Sequence, residues 1–193
     1  MQSNTNSFAA YWDRRMLRIL LLGIISGFPW VLIGSALTLW LKEDGISRST
    51  IGWAGLIFSV YAINFLWAPL IDRIKIPILT SLVGHRKAWI MSMQLLILLS
   101  LVVWSFLSPM DNLGVIVVIG LIIAISSASQ DITIDALRIE QIGKNESAAM
   151  AAGAATAVVG WWSGYKLGGL VTLITADWIQ ALGVENYWQV TFI

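Results

Sequence analysis

The chain has 193 residues, of which 58 % are hydrophobic and only 12 % charged, half the roughly 25 % of an average soluble protein. Such a chain is too apolar to be disordered, and the absence of cysteine excludes a disulfide framework, a thiol nucleophile and a cysteine zinc site. A net charge of +1 gives no field to gather nucleic acid.

The leader Met1–Tyr11 is polar and uncharged, and residues 1–15 read as a cytoplasmic tail. Five long stretches with almost no charge follow. Ile19–Leu41, Ser49–Ile71 and Ala88–Met110 are 23 residues each, Asn112–Gln130 is 19, and Ser147–Ala176 is 30, broken only by Lys166. About 20 apolar residues cross a bilayer core of roughly 30 Å. The spacing therefore predicts an all-α membrane bundle over 16–193, with spans at about 16–41, 49–71, 88–110, 112–137 and 147–176. A last apolar stretch over 186–193 reads as the first two turns of a sixth span, with more helices expected downstream. The first span is too long for a signal peptide and has no small-residue cleavage site after it.

Numbering the connecting segments alternately puts Arg14, Arg15, Arg18, Arg73, Lys75, Arg86, Lys87, Arg138 and Lys144 on one side, against Lys42 and Arg48 on the other. The positive-inside bias predicts a cytoplasmic N-terminus. Trp12, Trp40, Trp67, Trp89 and Trp178 fall near span ends, where amphipathic rings favour the interface. Trp30, Trp161 and Trp162 lie mid-span.

Within the first span, Gly27-Phe28-Pro29-Trp30 removes a helical hydrogen bond, which makes either a structural kink or a break lining a cavity. In the second span, Tyr61 and Asn64 are mid-membrane, and Asn64 is either helix glue or a ligand contact. The fourth span ends in SSASQDITIDALRIEQ, where Asp131 and Asp135 share a helical face continued by Arg138. Glu140 and Arg138 are compatible with a solvated turn, whereas the apolar residues after Asp131 argue that it is still inside. Ser126 and Pro29 lie at similar depth, about 18 and 16 Å from the basic residues Arg138 and Arg18. Interruptions at matching depth in two repeats point to a transporter site. Lys166 is either a functional intramembrane cation or a snorkelling one. Ala152, Thr156, Gly160, Gly164 and Gly168 form a small-residue ridge at spacing four, and Gly23 and Gly27 a shorter one, both expected to serve helix packing. Trp161 and Trp162 flank the longer ridge. His85 stands alone in a basic loop, and Asn145-Glu146-Ser147 reads as a chance glycosylation triplet.

The segment APLIDRIKIPILTSLVGHRKAWI resembles the cytoplasmic signature of the major facilitator superfamily. Asp72 and Arg73 match its acidic–basic pair, and Gly84, Arg86 and Lys87 its second half. The leading glycine is replaced near Ala68-Pro69, and the stretch between the halves is longer. GFPWVLIGSALTLWLKEDGIS, TIGWAGLIFSVYAINFLWAPLIDR and SSASQDITIDALRIEQ are similar to the AmpG-type anhydromuropeptide permeases. The acetyl-coenzyme A transporters share parts of these motifs. The resemblance implies the N-terminal six-helix bundle of a transporter with at least twelve spans, cut at the start of span 6. It also implies import of N-acetylglucosaminyl-1,6-anhydro-N-acetylmuramyl peptides across a bacterial inner membrane by proton symport, serving cell-wall recycling and β-lactamase induction. No cofactor and no metal are expected; the partners would be muropeptide, protons, the bilayer and a second lobe.

In that setting the loop signature implies a cytoplasmic gate of Asp72, Arg73 and Arg86, with Arg138 and Glu140 as partners. Asp131, then Asp135, are the candidates for proton coupling. Trp30, Tyr61, Asn64, Gln130, Trp161 and Lys166 are the candidates for ligand contact, with aromatic faces for sugar rings and the lysine for stem-peptide carboxylates. The competing readings are an acetyl-coenzyme A carrier of the same fold, an integral membrane enzyme and a purely structural helical subunit.

Overall fold

The structure is a computed structural model that describes residues 9–143 and 145–193. Most of the expected N-terminal tail, residues 1–8, and Lys144 of the positive set lie outside the described residues. Every regular element among the described residues is helical.

After a short turn at Ala9–Trp12, helix α1 runs from Arg14 to Glu43. Asp13 caps it by accepting from the Arg15 N–H at 2.8 Å. Pro29 has no N–H, so the carbonyl one turn earlier loses its partner, and the next turn, Leu32–Ala36, widens to a π-turn before α-geometry resumes at Leu37. Helix α2, Arg48–Leu66, starts on a Ser47 cap and is twice tightened to 3-10 geometry, at Gly55–Phe58 and Asn64–Leu66. Two short helices follow, α3 (Ala68–Arg73) and α4 (Leu79–Val83). Then come α5 (His85–Trp104), α6 (Pro109–Gln141), α7 (Ser147–Ala181) and α8 (Tyr187–Thr191).

Helices α1, α2, α5 and α6 are long and apolar enough to cross a membrane. Helix α7 has 35 residues, about 52 Å at 1.5 Å per residue, and carries Lys166 near its middle. Leu56 and Phe65 on α2, Leu95, Leu98 and Leu99 on α5, and Leu170, Val171 and Ile174 on α7 are exposed. That much exposed apolar surface suits hydrocarbon rather than water.

The bundle is held by two kinds of packing. In one half, Leu32, Leu37 and Leu41 of α1, Ile57 of α2, Ile97 and Trp104 of α5, and Ile116 and Ile123 of α6 form a continuous apolar core. Trp40 belongs here too: it is fully buried against Trp104 and Phe192, which corrects its expected place in the interfacial belt. It is buried because α8 folds back over it, held by Glu43, which accepts hydrogen bonds from Tyr187 Oη and Trp188 Nε1 at 2.5 and 2.6 Å. In the other half, α1 and α7 pack backbone to backbone. A Cβ on Gly160 would lie 2.5 Å from the Leu20 carbonyl oxygen, and one on Gly23 would lie 2.7 Å from that of Ala157. On Gly27 and Gly164 a Cβ would overlap the carbonyls of Trp161 and Ile24 outright. The two predicted ridges thus face each other and serve packing.

At one end of the bundle Arg15 joins α1 to the α6–α7 connection. Its guanidinium donates to Asp13 at 2.7 Å, to both Glu146 oxygens at 3.1 and 2.6 Å, and to the Gln141 carbonyl at 3.2 Å. Arg15, and next the Gly143 N–H, hold the Glu146 carboxyl at about 2, below its ordinary 4.5. A carboxylate depressed on folding contributes stability that is complete above the unfolded value and is lost as pH falls through the folded one. Glu146→Gln is therefore expected to lower the melting temperature of the intact protein by a constant amount at neutral pH. That difference should shrink below about pH 4.5 and vanish near 2. A difference that does not change over this range in a thermal melt series would show that Glu146 is not held this way.

Candidate functional site

The polar residues of α6 turn inward. Ser126, Ser127, Ser129, Gln130 and Thr133 are all buried, and Asp131 is half-buried beside them. Most find partners within the bundle. Ser126 and Thr133 donate to carbonyls one turn back, Ser129 accepts from Trp67 Nε1 at 3.0 Å, and Gln130 Nε2 donates to Gln94 Oε1 of α5 at 3.1 Å. Asp131 accepts a hydrogen bond from Ser26 Oγ at 2.5 Å, one turn before Pro29. The break in α1 and the polar run of α6, matched in depth from the sequence, are thus in contact.

Beside this pair opens a cleft of about 200 Å³ between α1, α6 and α7, lined by Gly23, Ser26, Asp131, Asp135, Val158 and Trp161 among others. Trp161 on its wall belongs to an aromatic group. Trp30 packs against Phe58 and Tyr61 with ring centres 4.9 and 4.5 Å away, and Trp161 meets it edge-on at 5.5 Å. Trp161 continues into Tyr165, whose ring is parallel within 5° and 5.7 Å away. Lys166 Nζ then lies 5.6 Å from the Tyr165 ring centre and 5.9 Å from that of Trp162. Of these rings Trp161 lines the cleft, while Lys166 lies outside its lining and is exposed.

Of the candidate ligand contacts, Trp30, Tyr61 and Trp161 come together in this aromatic group. Lys166 joins it at the exposed edge, held over rings rather than by an acid. Gln130 is adjacent in sequence to Asp131 but turns to α5, with its Oε1 buried and unpaired. Asn64 sits in the second 3-10 turn of α2, half-buried and without a side-chain hydrogen bond among the described residues. The sequence also left Ser26, Phe58, Gln94 and Tyr165 unnamed. Tyr165 could have been found as the residue four after Trp161; the other three carry no local signal.

The charged residues form a second group about two turns further along α6. Arg86 bridges Asp72 at 2.5 Å and Glu140 at 2.9 Å, tying α3, α5 and α6 together. Arg138 does not join: it pairs with Asp135 on its own helix at 3.0 Å, and that carboxylate is exposed. The reason is spacing, since Asp135 lies three residues earlier on the same face and is always within reach. Arg73 is exposed and makes no ion pair among the described residues. His85 Nε2 lies 2.9 Å from the Ile71 carbonyl, and among the described residues no three acidic, histidine or cysteine side chains gather to hold a metal ion.

No family model matches this chain. It is 36 % identical over 181 residues to a putative transporter AmpG 4 of Rickettsia felis, covering 94 % of this chain and 42 % of that protein. It is 34 % identical over 171 residues to the anhydromuropeptide permease of Escherichia coli strain K12, covering 88 % and 33 %. It is 40 % identical over 141 residues to a putative transporter AmpG 1 of Rickettsia bellii, covering 73 % and 34 %. The chain thus spans about two fifths or less of the length of these relatives, all of which carry transporter or permease names.

Proposed function

Because this chain belongs to the AmpG-type family of permeases within the major facilitator superfamily, a multi-pass membrane family, we propose that it forms the N-terminal lobe of a proton-driven importer of anhydromuropeptides. The cargo class is N-acetylglucosaminyl-1,6-anhydro-N-acetylmuramyl peptides, moved across a bacterial inner membrane with the N-terminus on the cytoplasmic side. The import would serve cell-wall recycling and β-lactamase induction. The observation that carries the reading is the Ser26–Asp131 pair opening onto a cleft walled by Trp161.

In this mechanism the cleft faces a second lobe, and cargo binds between the two near the membrane midplane. The sugar rings lie on the faces of Trp30, Tyr61 and Trp161, with Asn64 and Gln130 in the adjoining polar seam. Lys166 receives a stem-peptide carboxylate. Asp131 takes up the coupled proton, and Asp135, one turn closer to the charged end, is the second candidate. The Arg86 bridge to Asp72 and Glu140 acts as the cytoplasmic gate, with Arg73 as its neighbour in the chain and Arg138 held apart on Asp135. Formed in one state and parted in the other, it gives a bistable element.

The test is uptake of radiolabelled anhydromuropeptide by proteoliposomes holding the full-length protein, with and without a proton gradient. Gradient-dependent accumulation supports the reading; none, with the protein shown to be folded, overturns it. Lys166→Met is expected to reduce uptake of the peptide-bearing cargo about tenfold, the scale of one lost ionic contact of roughly 1.4 kcal/mol, with a smaller effect on the bare disaccharide. Equal losses on both would remove Lys166 from the carboxylate role.

A further inference from the structure

Helix α2 and the short α3 after it form one apolar stretch in the sequence, but a joint parts them. Ile63, at φ −112° and ψ 4°, and Trp67, at φ −106° and ψ −1°, flank the 3-10 turn Asn64–Leu66 and lie well off the α-helical mean. Pro69 gives the chemical reason: it has no N–H for the Phe65 carbonyl, and its ring crowds that turn. A 3-10 stretch inside a span is a common place for a hinge.

The arms on either side make different contacts. The arm before the joint, residues 48–62, carries Phe58 and Tyr61, which pack on Trp30 in the aromatic group. Its buried apolar residues are Ala54, Ile57 and Val60 alone, so little holds it in place. The arm after the joint is tied three times to the first two turns of α5. His85 Nε2 donates to the Ile71 carbonyl at 2.9 Å, Arg86 bridges Asp72 at 2.5 Å, and Trp89 Nε1 donates to the Ile74 carbonyl at 2.9 Å. One arm thus meets the proposed cargo wall, and the other carries an acid of the proposed gate.

Trp67 sits at the joint. Its indole N–H donates to the buried Ser129 Oγ of α6 at 3.0 Å, and its ring packs against the main apolar core. The neighbouring serines do not reach the joint: Ser126 bonds back into its own helix, and the buried Ser127 Oγ has no partner. Ser129 is two residues before Asp131, about 3 Å along the helix axis.

We infer that Trp67 is a positioning residue for transport, whose hydrogen bond to Ser129 fixes the joint between the two arms on α6. With the joint fixed, a displacement of Phe58 and Tyr61 reaches Asp72 as a rotation about one point. Without the tie the joint slides along α6, and the displacement is absorbed before it reaches the Asp72–Arg86 bridge. Trp67 touches neither cargo nor proton in this role. It sets the rate of the conformational change and leaves the affinity for cargo alone.

The inference rests on the proposed transport function, and the experiment separates the two. In proteoliposomes of the full-length protein, Ser129→Ala and Trp67→Phe are each expected to lower the maximal rate of proton-driven uptake of the radiolabelled anhydro-disaccharide tripeptide at least fivefold. Rates are taken per cargo-binding site, counted by equilibrium binding, so that misfolded protein does not contribute. The cargo concentration giving half the maximal rate should stay within twofold of the parent. The double variant should match the slower single variant within twofold, because both substitutions remove one bond. Ser129→Ala removes a single oxygen atom, so it decides the matter if Trp67→Phe fails to fold. An unchanged rate in Ser129→Ala overturns the inference, whatever Trp67→Phe does. A half-maximal concentration that rises as the rate falls marks a cargo contact, and losses that multiply in the double variant mark separate roles; either overturns it. If the parent accumulates cargo and Ser129→Ala keeps its rate, the role of Trp67 alone is wrong. If the folded parent shows no gradient-driven uptake, the transport reading fails and the inference fails with it.

Discussion

Gly164→Leu is expected to prevent the bundle from assembling. A Cβ at this position would overlap the Ile24 carbonyl oxygen, and backbone cannot move aside as a flexible side chain can. Relief requires α1 and α7 to separate along the seam formed by Gly23, Gly27, Gly160 and Gly164, and each fraction of an ångström of separation loses dispersion contacts along the whole seam. Overpacking of a tight site typically costs 1–3 kcal/mol and here should reach or exceed ~3 kcal/mol, a large share of a marginal total. Even Gly164→Ala should lower the melting temperature in detergent. The internal control is Gly169→Ala on the same helix, where a Cβ would meet Val31 at an ordinary 3.8 Å. That variant should melt as the parent does, and equal melting of the two alanine variants would mean that the helices do not approach so closely.

Asp131→Asn is expected to abolish concentrative uptake. Asparagine keeps an oxygen that can accept from Ser26, so the α1–α6 contact survives, but it cannot take up a proton. One proton moving down a gradient of one pH unit supplies about 1.4 kcal/mol, enough for roughly tenfold accumulation of a neutral cargo. Without coupling the inside-to-outside ratio should settle near one, while exchange at equal concentrations continues. Accumulation by Asp131→Asn under a proton gradient would sink the coupling role. The same measurement on Asp135→Asn provides a contrast: its carboxylate is exposed and already paired with Arg138, so a smaller effect is expected.

The sequence went furthest where a residue's meaning is set by its neighbours along the chain. Asp131 stood out because Ile132-Thr133-Ile134 after it would be wasted in water, and it is indeed drawn inside, against α1. The small-residue ridges were readable from spacing four alone, since that period puts them on one helical stripe whatever the partner. Within the charged group, the resemblance implied a cluster of Asp72, Arg73 and Arg86 with Arg138 and Glu140, of which Asp72, Arg86 and Glu140 meet. Glu140 is 54 residues from Arg86, and no local spacing joins the two.

What remained hidden depended on contacts between distant segments. Arg15 and Glu146 are 131 residues apart, and neither has a local feature that names the other. Trp40 reads as an interfacial tryptophan by position, and it is buried only because Tyr187 and Trp188 bring α8 back onto Glu43. Ser26 and Ser127 look alike in sequence, two small hydroxyls in apolar runs. Composition and periodicity settled on their own that this chain is a set of apolar helices, because hydrophobic burial in a bilayer depends on what a segment contains. Which serine meets the carboxylate and which hydroxyl is left without a partner was decided only by packing, because hydrogen bonds are directional and a rotation of one helix reassigns every one of them.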